Sequence, residues 1–294
     1  MSKLGIKKNT RSNAITYLIV IVAFVLFTIL SNGGVLGRKT VGLLVPACCY
    51  IVMAISLNLT VGILGELSLG HAGFMSVGAF AGVVASTGLS STITSAPLRL
   101  AVAMVIGALF AAIAGFLIGI PVLRLRGDYL AIVTLAFGEI IKEIISCLIV
   151  GTDEKGLHIV FNYNGAKTVD DLGLTPTGTA IIKGAQGATG TQTIASFAAG
   201  FVLIMVALVI VLNFVNSRSG RAVMAIRDNR IAAESVGINI TKYKMMAFVT
   251  SAALAGMAEA LYGLNFSTVA ASKFKFDTSI LVLVFVVLGG LGNI

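Results

Sequence analysis

The sequence predicts an all-α fold, a polytopic bundle of transmembrane helices, on three observations. Of the 294 residues, 57% are hydrophobic and 11% charged, against about 25% charged in soluble domains, and the mean hydropathy is +1.01. Apolar runs of about 18 residues or more, long enough to cross a bilayer as a helix, recur along most of the chain. The basic residues collect at the edges of those runs and between them, with Lys142 the exception.

Eight spans follow in order, at roughly 14–30, 41–59, 62–86, 98–123, 129–150, 194–215, 245–266 and 279–294. Residues 1–13 form a basic, polar tail. No small-residue cleavage site ends the first span, so it reads as a retained helix and not a removed signal. The third span is the least regular. It opens "TVGILGELSLGHAGF", with Gly62, Gly65, Gly70, Gly73 and the ionisable Glu66 and His71. That pattern reads as a broken or re-entrant helix, which the membrane tolerates only where protein or a water-filled cavity covers the backbone. Gly107, Ala111, Gly115 and Gly119 recur every four residues, as do Ala252, Gly256 and Ala260. Small residues at that spacing let helices approach closely, and both ladders are read as packing seams. The stretch 151–193 is Gly/Thr-rich and is expected to be an extracytoplasmic loop with at most short structure, so 14–294 forms a single transmembrane domain. The last run reaches Ile294 without a polar tail, and residues 280–288 supply only nine apolar positions. The expectation is a truncated chain lacking at least one terminal helix.

Lys and Arg in the loops set orientation. With the N-terminus inside, the inner segments 1–13, 124–128 and 216–244 hold 12 basic residues against 8 in the outer ones. The densest, 216–244, has six against Asp228 and Glu234, which places it in the cytoplasm with the N-terminus.

Five charged residues fall within spans: Glu66, Glu139, Lys142, Glu143 and Glu259. Each costs at least ~2.5 kcal/mol near a helix centre unless paired or hydrated. Lys142 can pair with Glu139, three residues away on one helix, and offset Glu143. The alternative is that this face lines a hydrated pathway. Glu66 and His71, set in glycine-broken backbone, are either pathway groups or satisfied packing groups.

Cys48, Cys49 and Cys147 lie in apolar runs and read as small buried hydrophobes. No Cys or His spacing suits a metal. "GRKT" at 37–40 and "GAKT" at 165–168 lack the spacing of a phosphate-binding loop, so no ATP site is expected on this chain. There is no nucleophile constellation and no H-E-x-x-H, and the sequence offers an enzyme no chemistry. Nothing points to nucleic acid.

The polar segment "SRSGRAVMAIRDNRIAAESVGIN" (217–239) lies between two apolar runs. A short helix fits Asn229 to Val236, with Asp228 or Asn229 as the N-cap acceptor and Gly237 as the left-handed terminator. On one continuous wheel Ala222, Ile226, Ala233 and Val236 share a stripe, with Arg227, Arg230 and Glu234 beside it. That pattern suits docking on a protein groove. It equally suits a basic loop that sets topology or meets anionic lipid.

"AAESVG" (232–237) resembles the E-A-A-x-x-x-G loop of ABC-importer permeases, with Ile231 where that pattern has Glu. "SLNLTVGILGELSLGHAGFMSVGAF" (56–80), "LRLRGDYLAIVTLAFGEIIKEI" (123–144) and "SGRAVMAIRDNRIAAESVGINITKYKMMAF" (219–248) resemble, in order, the branched-chain amino acid permease family, its LivM-type more than its LivH-type members. The resemblance covers about residues 41–294. It implies a multi-pass protein of the bacterial cell membrane that works beside a second, LivH-type permease subunit. Two cytoplasmic ATPase subunits would bind ATP and Mg. An extracytoplasmic binding protein would deliver leucine, isoleucine or valine. No cofactor is implied on this chain. Arg227, Asp228, Arg230, Ala232, Ala233, Glu234 and Gly237 would form the ATPase-coupling loop. Asn58, Glu66, Gly70 and His71 are candidates for the substrate pathway, because a broken helix presents free N–H groups that suit a carboxylate, which makes 58–73 the candidate lining; Glu139 is a further candidate, on the face that would line a hydrated pathway. Urea and short-chain amide permeases resemble the same family. An ion-gradient-driven secondary transporter and a non-transporting scaffold are the readings from other classes.

Overall fold

The computed structural model describes residues 2–125, 127–153, 156–162, 165–176 and 178–292, with side chains from Ala14 onward. Arg126 of the predicted inner segment and the side chains of the basic tail lie outside the described residues.

Among the described residues ten α-helices form, at or between the predicted spans. They are α1 (Ser2–Asn32), α2 (Arg38–Asn58), α3 (His71–Gly88), α4 (Ala96–Val122) and α5 (Asp128–Ser146), then α6 (Phe197–Asn216), α7 (Arg218–Asp228), α8 (Arg230–Ser235), α9 (Ile240–Gly263) and α10 (Phe276–Gly289). The backbone of the predicted tail is the first part of α1. Five stretches are long and apolar enough to cross a membrane: Ala14–Asn32, Arg38–Ile63, Ala96–Val122, Phe197–Asn216 and Ile240–Gly263. The expected count of eight spans is therefore not reached among the described residues. Glycine, serine and histidine dilute α3, Glu139, Lys142 and Glu143 interrupt α5, and α10 has only 14 residues.

The expectation of an all-α chain is also corrected. The span placed at 129–150 stops as a helix at Ser146, and the segment beyond it folds into a five-stranded antiparallel sheet. Its strands are β1 (Leu148–Asp153), β2 (Gly156–Phe161), β3 (Thr179–Lys183), β4 (Ala188–Thr189) and β5 (Thr268–Val269), ordered β2-β1-β3-β4-β5. Leu148 pairs with Phe161 and Ile149 with Lys183. The strand signals "LIVGTD", "GLHIVF" and "TAIIK" are β-branched runs of five or six residues, submerged in Gly/Thr-rich sequence. Ile149, Val150, Ile181 and Ile182 bury their side chains, and β5 ties the sheet to the chain beyond α9.

The core is a bundle of α3, α4 and α9 whose glycines allow close crossing. A Cβ on Gly115 would lie 2.6 Å from the Ala252 Cβ, and one on Gly107 would lie 2.8 Å from the Ala260 Cβ and from the Gly78 carbonyl oxygen. A Cβ on Gly256 would collide with Ala111. The two small-residue ladders thus act as the packing seams their spacing predicts, and the structure sets them against one another. The bundle has two unlike ends. The sheet closes one end, where the Ile194 and Ala195 amides donate to the Leu264 carbonyl (3.1 and 3.2 Å). Helices α7 and α8 close the other.

Candidate functional site

The helix break is real, and it lies against the α7–α8 end. Helix α2 runs on through one π-helical turn, Leu59–Ile63, and the chain then travels without helix to Gly70 before α3 begins. The Glu66 amide donates to the Thr60 carbonyl (3.1 Å). The Glu66 carboxylate pairs with Lys244 on the second turn of α9, 178 residues away. Little of either side chain is exposed, 15% and 3% respectively. Removing one partner would therefore leave a costly charge behind.

His71 opens α3 and is buried. Its Nε2 lies 3.0 Å from Ser56 Oγ on α2. Ser56 Oγ donates to the Ser251 carbonyl (2.6 Å) and Ser251 Oγ donates to the Ser56 carbonyl (2.7 Å). The crossed serines use up the Ser56 hydroxyl hydrogen, so His71 Nε2–H is the donor to Ser56 Oγ. This network locks α2, α3 and α9 together.

Gly70 is a contact with α5. A Cβ there would land on the Thr134 carbonyl, and one on Gly73 would lie 2.9 Å from the Gly138 Cα. The expectation of free N–H groups at the break is not met at several positions, Glu66 among them. The Leu69 amide donates to Thr134 Oγ1 (3.1 Å) and the Ala72 amide to Ser279 Oγ (3.0 Å). Two buried hydroxyls of the segment, on Thr60 and Ser68, have no partner among the described residues, which is rare for buried polar groups.

Asn58 is buried at the end of α2, and its Oδ1 accepts from the Gly292 amide (2.9 Å). Glu139 stands on α5 next to Gly138, which packs on Gly70, and lines a small cavity with Leu69, Gly70 and Ala72. It pairs with Lys142 (2.5 Å), which also reaches Glu143 (3.1 Å), and it accepts from the Phe276 amide of α10 (3.3 Å). The predicted local pair is present. The structure thus joins Glu66 and His71 through α9, and gives Asn58 and Glu139 other partners.

The polar segment 217–239 is two short helices hinged at Asn229. Asn229 Oδ1 accepts from the Ala232 amide (3.0 Å), and Gly237 takes a φ of +84° with open space where a Cβ would be. Cap and terminator stand where the sequence puts them. The single stripe does not. The hinge breaks the wheel, so Ile226 and Ala233 turn inward against Ile240, while Val236 is 75% exposed. Ile231 is 81% exposed, and Ala232 and Glu234 are exposed beside it. Arg230 is half-buried. Arg227 reaches into the protein. Its Nη1 donates to the Gly62 carbonyl (2.9 Å), Asp228 Oδ1 accepts from its Nε and Nη2 (3.3 and 3.2 Å), and its stem lies against Gly65.

Sequence reasoning missed Lys244, Ser251, Ser56, Thr134 and Ser279. A partial signal existed. Lys244, Ser251, Glu259 and Tyr262 fall near whole numbers of helical turns on α9, forming one polar stripe about 27 Å long at about 1.5 Å per residue.

A sequence model of the family described as "Branched-chain amino acid transport system / permease component" matches residues 39–294. The chain is 33% identical over 263 residues to the "High-affinity branched-chain amino acid transport system permease protein LivM" of Escherichia coli (strain K12), covering 87% of this chain and 60% of that protein. Identity to the LivM protein of Salmonella typhimurium is also 33%, over 265 residues, with the same coverage. Against the "Probable branched-chain amino acid transport permease protein LivM" of Methanocaldococcus jannaschii it is 24% over 274 residues, 83% of this chain and 73% of that one. The chain spans about 60% of the length of the first two relatives. No solved structure gives a significant match. With its helical membrane spans, its broken third span and a family match over residues 39–294, the chain belongs to the branched-chain amino acid transport permease family.

Proposed function

We propose that this chain is the membrane permease subunit of an ATP-driven importer of branched-chain amino acids. It works with a second related permease subunit, two cytoplasmic ATPase subunits and an extracytoplasmic binding protein. The observation that carries the reading is the link between the α7–α8 platform and the helix break. Arg227 ties the platform to Gly62 and Gly65, and Lys244, in the helix that leaves the platform, ties to Glu66. A partner that pushes α8 therefore pulls on the break through two charged contacts.

Exposed Ile231 and Val236, with Glu234 between them, form the docking face for the ATPase. An apolar side chain at Ile231 suits a groove that receives a helix end. Ala233 and Ile226 hold the platform's shape and do not dock. The α7–α8 end and the N-terminus face the cytoplasm, and the sheet faces outward toward the binding protein. The break at 58–73 borders the pathway, where the unpartnered Thr60 and Ser68 hydroxyls suit a polar ligand. Alternating access follows from platform motion that repositions the break and α3.

The test is reconstitution of the permease with candidate ATPase subunits and binding protein in vesicles. Leucine uptake that requires ATP and both partners is the expected result. Uptake by this permease without ATP or ATPase subunits would establish an ion-gradient carrier instead.

A further inference from the structure

Beneath the sheet runs a groove that neither the helix break nor the platform uses. Its volume is about 340 Å3, and all of its lining side chains are apolar. The underside of the sheet is its roof. Val150 pairs with Ile159 on one side and Ile182 on the other, and residues directly opposite share a face, so these three side chains line the groove together. The floor is a stripe of α3. Val77, Ala81 and Ala85 follow at intervals of four residues, and at 1.5 Å per residue the stripe is about 12 Å long. The mouth lies between β2 and α4. Leu157 and Ile159 of β2, the outer strand of the sheet, are about half exposed there. Phe110 of α4 lines the same mouth and is likewise half exposed. It begins an exposed stripe with Ile113 and Leu117, on a helix long and apolar enough to cross the membrane that buries little of its surface inside the protein.

Chemistry and size choose the occupant. A lining of apolar side chains does not offer water the two to four hydrogen bonds it needs. A helix is too wide, since one turn with its side chains, about 10 Å across and about 5.4 Å long, takes up about 420 Å3. A cavity of about 150 Å3 admits a benzene ring, so this groove admits a chain of roughly a dozen carbons. The stripe's length of about 12 Å compares with about 15 Å for one leaflet of a ~30 Å hydrocarbon core.

We propose that this groove binds one acyl chain of a membrane phospholipid, from the leaflet on the sheet's side, and that the chain packs the underside of the sheet onto α3. The mouth opens onto the exposed stripe of α4, so the bilayer supplies the occupant. The site is independent of what the permease carries. It makes a lipid part of the joint between the sheet and the helix that follows the break.

The chain contains no tryptophan, so a single introduced indole reports its own surroundings. The full chain carrying Ile159→Trp, at the mouth, or Leu117→Trp, on the open stripe of α4, is reconstituted in vesicles of phosphatidylcholine brominated along its acyl chains. It is then extracted into lipid-free detergent. Bromine should quench both indoles in the vesicles. After extraction Leu117→Trp should recover its fluorescence, and Ile159→Trp should keep at least half of its quenching. Ala81→Phe fills the floor of the groove, and added to Ile159→Trp it should abolish the retained quenching. Ala85→Leu, a smaller filling, should reduce it at least twofold. Full recovery in Ile159→Trp overturns the proposal, and so does retention that both fillings leave unchanged. Native mass spectrometry of the intact complex separates a lipid from a protein occupant. One phospholipid per copy of this chain, lost in Ala81→Phe, is the expected result. A wild-type complex whose mass carries no lipid would leave the groove to a partner chain and overturn the proposal as well.

Discussion

Arg227→Ala tests how the platform and the helix break communicate. The substitution deletes the fork to Asp228 and the one charge-assisted hydrogen bond that reaches the break, from Nη1 to the Gly62 carbonyl at 2.9 Å, and uncovers Gly65, whose φ of +77° and contact with the arginine stem leave no room for a side chain. A hydrogen bond to a charged group contributes about 1.5–3 kcal/mol when shielded from water. The Arg227 side chain is 40% exposed, so screening brings the contact to about 1–2 kcal/mol. A contact cannot transmit more free energy between two sites than it contributes. The ratio of leucine transported to ATP hydrolysed should therefore fall by roughly 5- to 30-fold. Membrane levels and ATPase co-purification should hold, because the docking face itself is untouched. Arg227→Lys keeps the charge but not the fork that also engages Asp228, and should fall between. Arg218→Gln, at the start of α7, serves as the charge control and should change the ratio little. The assay is leucine uptake and ATP hydrolysis measured on the same vesicles. An unchanged ratio in Arg227→Ala, or an equal drop in Arg218→Gln, would refute the reasoning and make the segment a charge anchor.

Three further outcomes follow from the packing. Glu66→Ala or Lys244→Ala alone should destabilise the solubilised complex by about 3–5 kcal/mol, because each strands a largely buried charge, while a Glu66→Leu, Lys244→Met pair should recover most of the loss; thermal unfolding of the three proteins decides, and no recovery in the pair would mean that the ion pair itself is needed. Gly70→Leu should fail at assembly and not at transport, since the new side chain meets the Thr134 backbone at a cost of about 1–3 kcal/mol or more; a stable complex with lost uptake would return Gly70 to the pathway. Ala233→Glu forces a carboxylate into the Ile226–Ile240 contact, and Gly237→Val places a β-branched residue at a φ of +84° at a cost of about 1–2 kcal/mol. Both should lower substrate-stimulated ATP hydrolysis, the first more, and normal stimulation in both would show that the platform's shape is irrelevant to coupling.

The sequence alone determined the membrane class, the positions of most helices, the break before His71, the cap at Asn229 and the terminator at Gly237. Each depends on neighbours within a few residues: apolar runs, glycine spacing, or a side chain three positions from the amide it caps. The same local signals placed the two small-residue ladders, because helical periodicity is set within the helix. Only the tertiary structure decided which ladder faces which, and it decided the partners. Glu66 finds Lys244 and Ser56 finds Ser251 across 178 and 195 residues, and Arg227 reaches a carbonyl 165 residues earlier. The sheet was missed for the same reason, since β5 joins it from beyond α9 and short strands in Gly/Thr-rich sequence are stable only once paired. An ionisable residue in an apolar run announces that it needs a partner. Which partner it takes depends on how the helices cross, and no spacing along the chain encodes that crossing.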